Sequence, residues 1–251
     1  MRPQRRGAFS TALLLCSALC GGSTPAAAQE LVIRDVTYPD LPRQAASADG
    51  FVPRGWVVEG EASGDLNRDG VADLAIVLRQ NDPNNVIENL GLGENPFNTN
   101  PRILAVAFRN GPSGDYVLKV VNHTLIRRRE DPVQVDPFGE GNGGIAIRRG
   151  SLEVSLHHFM SAGGWGMFRA TYKVRYQNGR FELIGYDRSA VHRTTGETKD
   201  VSVNYLTRRM QHSTGHISSD TPTKVTWRTL PLRAPLALDA VGDGLNFDPE
   251  R

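Results

Sequence analysis

Residues 64–78 read Gly64-Asp65-Leu66-Asn67-Arg68-Asp69-Gly70-Val71-Ala72-Asp73-Leu74-Ala75-Ile76-Val77-Leu78, a polar loop that runs without a break into an apolar segment. Asp65, Asn67, Asp69 and Asp73 occupy positions one, three, five and nine of the loop, with Gly70 at position six. Ca²⁺ is a hard cation that takes about six to eight oxygens, so short carboxylates and amides at alternate positions of a tight loop suit it. Gly70 permits the sharp turn that would swing the Val71 carbonyl inward as a further ligand. Ile76 stands where an EF-hand places its bidentate Glu, so the loop is not a complete EF-hand. Leu74 to Leu78 is a short apolar run with β-branched members, which reads as a strand rather than a helix. The competing reading is an Asp69-Gly70 hairpin turn with polar neighbours and no metal. Four oxygen-bearing side chains at ligand register exceed what a turn requires. Without a cation, three carboxylates would repel one another with only Arg68 nearby to offset them. The residues favour a metal loop that enters a β-strand.

A calcium loop of this form followed by a strand resembles the FG-GAP repeat, also called the VCBS-type repeat. The matching residues are Gly64, Asp65, Asn67, Asp69, Gly70, Asp73 and Leu74, within residues 57–78. The resemblance implies a blade-like β-unit of the kind that builds β-propellers. It also implies that Asp65, Asn67, Asp69, Val71 (through its carbonyl) and Asp73 bind Ca²⁺. The chain holds one copy, whereas a family propeller needs several. A second stretch, Tyr172 to Asp187, with Thr195 to Thr198 and Asn204 to Thr207 after it, resembles a pattern that recurs in uncharacterised exported bacterial proteins and implies no activity.

The N-terminus sets the compartment. Arg2, Arg5 and Arg6 form a positive region, Ala12 to Leu19 an apolar one, and Ala26-Ala27-Ala28 a small-residue cleavage site. Residues 1–28 therefore read as a secretory signal peptide, and the chain as exported, periplasmic or extracellular. Arg5-Arg6 leaves the Sec and Tat routes both open. Cys16 and Cys20 each follow Leu, not the small residue of a lipoprotein processing site, and both lie inside the signal peptide. Residues 29–251 consequently hold no disulfide, thiolate ligand or cysteine nucleophile. Removing the three signal arginines leaves 26 Lys and Arg against 27 Asp and Glu, a net charge of −1. That balance argues against nucleic-acid binding, and no later segment is apolar enough to span a membrane as a helix.

The remaining chain reads as all-β: consecutive four-stranded antiparallel meanders, propeller-blade-like or sandwich-like. Residues 29–54 read as an extended N-terminal arm and 55–251 as the β-domain, with blade-like units near 56–121 and 145–187. Arg149-Gly150 and Asn178-Gly179 mark tight hairpins, the latter a strong type I′ signal. Residues 80–101 form a long polar loop that is either a solvated surface or a functional face bearing Asp82, Glu88 and Glu94. Arg127-Arg128-Arg129, followed by Glu130 and Asp131, reads as a solvated and locally neutralised face. Val201 to Leu206, Arg208 to His212 and Thr223 to Leu230 read as further strands, and Gly242 to Asp248 as an acidic tail.

Other chemistry is sparse. His157 and His158 are neighbours on a strand, so their rings point to opposite faces. His212 and His216 are spaced for zinc only on a helix, and Ser213-Thr214-Gly215 reads as a turn. Glu153, Glu182 and Asp187 could form a glycosidase pair, but nothing in the sequence sets their separation. Trp165, on the glycine-rich loop Phe159 to Phe168, either stacks on a sugar ring or peptide face or folds back to cap the core. The sequence thus points to an exported protein with one structural Ca²⁺, non-catalytic, acting as a binding or envelope-associated module for a carbohydrate or protein. The alternative is a hydrolase of envelope or extracellular polymers with Ca²⁺ supporting the scaffold.

Overall fold

The computed structural model describes residues 31–139 and 141–250; residues 1–28, read from the sequence as a signal peptide, and the first two residues of the arm lie outside them. Among the described residues there is no α-helix, only three short 3₁₀ turns, and no helix long and apolar enough to cross a membrane. Fourteen strands carry the fold. The first seven are β1 (Gln44–Ala45), β2 (Trp56–Gly64), β3 (Asp73–Gln80), β4 (Val86–Ile87), β5 (Phe97–Asn98), β6 (Arg102–Arg109) and β7 (Tyr116–Asn122). The rest are β8 (Gly144–Arg148), β9 (Ser151–Phe159), β10 (Gly166–Gln177), β11 (Arg180–His192), β12 (Glu197–Asn204), β13 (Arg209–His216) and β14 (Lys224–Thr229).

All pairings are antiparallel. One sheet has the order β1-β7-β6-β3-β2, a second runs β14-β13-β12-β11-β10-β9-β8, and β4 pairs with β5 alone. The strands between 56 and 121 form the expected four-stranded meander, with two-residue β1 added at its edge. The second series does not stop at four. Hairpins after β11, β12 and β13 keep adding antiparallel partners, so residues 145–187 belong to a seven-stranded meander. The core-facing alternation continues through Val201, Val203 and Met210, which is why the sheet extends.

Burial explains the two strand patterns. Leu74 to Leu78 and Ile103 to Phe108 are near-continuous apolar runs because β3 and β6 are covered on both faces. Ala75, Val77, Leu104, Val106 and Phe108 face the second sheet and share one core with Leu152, Val154, Leu156, Tyr172 and Val174. Leu74, Ile76, Leu78, Ile103, Ala105 and Ala107 face the other way, under Leu41, Phe51 and Trp56 from the arm and the start of β2. In the seven-stranded sheet the alternation is clean: Tyr172 and Val174 point inward while Lys173 and Arg175 point out. Arg149-Gly150 (φ 52° and 70°) and Asn178-Gly179 (φ 54° and 76°) close their hairpins with two consecutive positive φ values, the type I′ signature.

Three segments read as solvent-facing are structural. In the loop 80–101, Arg128 donates to the Thr99 carbonyl, Thr99 Oγ1 (2.9 Å) and Asn85 Oδ1 (3.0 Å), pinning the β4–β5 hairpin. Buried Arg129 pairs with Glu94 at 2.6 Å and lies 4.9 Å from the Phe97 ring centroid. Arg128 and Arg129 are therefore a clamp, while Arg127 stays half exposed and is neutralised locally by Glu130. The C-terminal segment is a plug, not a tail: the Tyr172 hydroxyl donates to the Gly244 carbonyl at 2.6 Å, and Phe247 packs 5.5 Å from Tyr172 and 5.2 Å from Tyr186. Between the sheets, Arg102 is 2% exposed and bridges two carboxylates, Glu59 at 2.5 and 2.8 Å and Asp136 at 2.8 Å. Glu59 is aimed inward from a bulge in β2, between Val58 and Gly60.

Candidate functional site

The loop Asp65 to Ala72 is the connection of the β2–β3 hairpin, closed by the Gly64–Asp73 pair. Gly70 has φ +84°, the left-handed turn expected of it, and Arg68 shares that region at φ +69°. Short side chains organise the turn. Asp65 accepts from the backbone N–H of Arg68 (2.6 Å) and Gly70 (3.0 Å), Asn67 from that of Asp69 (2.9 Å), and Asp69 from that of Val71 (2.8 Å). Asn67 Nδ2 also donates to Asp69 Oδ2 at 2.9 Å. Leu66 is wholly buried and inserts into the shared core.

Asp73 is the hub. Its carboxylate is 0% exposed; Oδ2 accepts from the amides of Leu66 (2.8 Å) and Asn67 (3.2 Å), and Oδ1 from that of Arg109 (3.0 Å) at the end of β6. Burial raises its pKa and Asp69 raises it further, outweighing the three amides that lower it. The loop also meets the second sheet. A Cβ on Gly150, in the β8–β9 turn, would lie 3.7 Å from the Asp65 carbonyl, and one on Gly64 would fall 2.6 Å from the Ile147 side chain. The loop is thus a junction of β2, β3, β6 and the β8–β9 hairpin.

The donor set fits a hard cation: carboxylates, one amide and carbonyls, without thiolate or imidazole. Apart from Asp73 Oδ2, which accepts twice, each accepting oxygen has a second lone pair beyond the one used in the turn. Among the described residues, Asp65, Asp69 and Asp73 form no ion pair, whereas the interior carboxylates Glu59, Asp136 and Glu182 are all held by arginines. The three aspartates are not drawn into a ready cage: among the described residues, no three His, Cys, Asp or Glu side chains converge on a metal-sized point. The structure places the five predicted ligands on one hairpin, with Asp73 at its buried base and Asp69 exposed at its tip.

This division makes a prediction. Asp73→Ala orphans three amides, each worth about 1–3 kcal/mol when buried, so its melt falls by several degrees even in EDTA. Asp69→Ala, at an exposed position, stays within about 0.5 kcal/mol of wild type in EDTA. Equal losses for the two variants in EDTA would refute the hub role of Asp73.

The other candidates separate. Trp165 does not cap the core; it is 64% exposed on the loop before β10. Arg193 holds that loop, donating to the carbonyls of Met160 (2.8 Å) and Gly164 and stacking 4.2 Å from the Phe159 centroid and 5.7 Å from Trp165. His157 lies against Phe159, and His158 against Phe168 on the neighbouring strand. Ser213-Thr214-Gly215 is not a turn: His212 and His216 both lie in β13, about 13 Å apart at ~3.3 Å per residue. They share no metal. Glu182 is bound by Gln177, Asn178 and Arg180, Asp187 by Lys173 and Ser202, and Glu153 faces Arg148, so each acid has its own partners.

Two features escaped the sequence reading. One is the tie from Asp73 to Arg109, for which no local signal exists. The other is Arg188, a cation at an inward register of β11; extending the alternation from Tyr186 would have flagged it. Comparison with protein-family models, curated proteins and solved structures finds no match to this chain.

Proposed function

We propose that the chain is an exported calcium-binding protein whose loop 65–73 holds one structural Ca²⁺ through Asp65, Asn67, Asp69, the Val71 carbonyl and Asp73. The observation that carries this reading is the concentration of three carboxylates without an ion pair on a hairpin that touches both sheets. Ca²⁺ would supply the missing positive charge and hold the junction in register; no open coordination position is needed for that. In this reading β2, β3, β6 and β7 form a single blade-like meander, packed sandwich-like on the seven-stranded sheet.

The molecule then serves as a non-catalytic binding or envelope-associated module for a carbohydrate or protein of the cell envelope. The separate engagement of Glu153, Glu182 and Asp187 supports this over hydrolysis by a carboxylate pair. The test is the purified protein in millimolar Ca²⁺ against peptidoglycan and polysaccharide panels. Saturable binding without turnover is expected, and release of reducing ends or muropeptides would establish the hydrolase instead.

A further inference from the structure

The inward face of the seven-stranded sheet outruns the hydrophobic core. On β11 the register that buries Tyr186 next presents Arg188 and Ala190, and Lys199 of β12 stands opposite Ala190. Arg188 lies 4.1 Å from the centroid of Phe168 on β10, and His158 of β9 stacks on the same ring at 4.7 Å and 17°. Three neighbouring strands thus contribute a stacked row of imidazole, phenyl and guanidinium. Arg188 Nε is shielded from solvent without a hydrogen-bond partner. Among the described residues, neither the Arg188 nor the Lys199 side chain donates a hydrogen bond or pairs with an acid.

These two cations line a groove of about 310 Å³, room for roughly ten waters at about 30 Å³ each and at the lower end of small-molecule sites, about 300–1,000 Å³. Its inward-facing walls include Met160, Phe168 and Ala190, and one carboxylate, Glu197, also lines it. The glycines flanking Trp165 form part of the rim. Burial first, then the Arg188 charge, lowers the His158 pKa, so the imidazole adds shape without charge at neutral pH.

We propose that this groove binds a small organic carboxylate carried on an apolar body. A guanidinium fixed by stacking keeps its planar fork of donors for a bidentate carboxylate, and Lys199 supplies a second charge. The part-buried Arg188 guanidinium, with no ion-pair partner, favours an anion, and the exposed Lys199 adds charge beside it. The apolar walls select a hydrophobic carboxylate over bare phosphate, which would leave Met160, Phe168 and Ala190 facing water. The assignment goes beyond the binding role proposed above by adding a small-molecule ligand, and it rests on the groove rather than on the calcium loop.

Calorimetric titration with benzoate and hexanoate, against benzamide and inorganic phosphate, tests it. One saturable site for a carboxylate is expected, with benzamide weaker by about tenfold or more, as loss of a charge-assisted contact implies, and phosphate weaker because it leaves the apolar walls uncovered. Arg188→Gln lowers carboxylate affinity by a similar factor and Arg188→Lys by less. Lys199→Gln carries the comparison if Arg188→Gln does not fold. Equal binding of benzoate and benzamide, undiminished binding by the variants, or no saturable site overturns the proposal. Because the titrations run both in Ca²⁺ and in EDTA, a failed groove beside an intact Ca²⁺-dependent melt sinks the groove alone.

Discussion

Millimolar Ca²⁺ is expected to raise the melting temperature of the protein above its value in EDTA, and Asp69→Ala to abolish that rise. At 100 times the dissociation constant, a ligand bound only by the folded state adds about 2.7 kcal/mol. For a chain of this size, at about 2–4 °C per kcal/mol, the rise is about 5–10 °C. Acid should remove it, because the ligands bind Ca²⁺ only when ionised. Asp73 decides the direction. Its folded pKa is raised by burial, so without metal the folded state holds this proton more tightly than the unfolded chain. Its contribution to stability accordingly falls as pH rises from the unfolded value through the raised one. Ca²⁺ reverses that slope by favouring the carboxylate, so the metal-dependent rise should be largest near pH 7 and shrink toward pH 4. A wild-type melt indifferent to Ca²⁺ would leave the loop an Asx-stabilised hairpin.

Arg102→Met is expected to destabilise the fold by about 3–5 kcal/mol at pH 7, the usual consequence of removing one partner from a buried charge cluster. The figure should sit near the low end, since Arg79 stays beside Glu59 at 3.0 Å. Burial alone would raise the Asp136 pKa, but Arg102 and the Phe138 amide outweigh it and hold the carboxyl below its ordinary value. A depressed folded pKa contributes stability that is present above the unfolded value and lost as pH falls through the folded one. The gap between wild type and Arg102→Met should therefore narrow in acid, where the stranded carboxylates take up protons. Urea unfolding at pH 7 and near pH 3.5 measures both quantities. A gap under about 1 kcal/mol at pH 7, or one unchanged in acid, would mean the network is not the tie between β2, β6 and the segment leading to β8.

The parts of this molecule that sequence determined are those whose cause lies within a few residues. The run Leu74 to Leu78 declared a buried strand, Asn178-Gly179 a type I′ turn, and Gly70 a left-handed bend, because period, β-branching and permitted φ are local properties. The oxygen-rich make-up of the loop 65–73 was legible for the same reason: its oxygens all come from one short stretch.

Tertiary structure alone decided which charges and rings are inside. Arg102 finds Glu59 across 43 residues and Tyr172 finds Gly244 across 72, and nothing near either residue announces its partner. Arg128 and Arg129 looked solvated because Glu130 and Asp131 follow them, yet they clamp a loop about 30 residues upstream. Phe247 looked like part of a polar tail because a single aromatic among Gly, Asp and Asn has no period to betray its burial. The later strands near 201–206, 208–212 and 223–230 were legible, but that they join the second sheet was not, since they pair through their backbones with few apolar side chains to show the shared face. Local preference acts before the chain closes on itself. The burial of Arg102, Arg188 and Phe247 is a property of segments that meet only after it has.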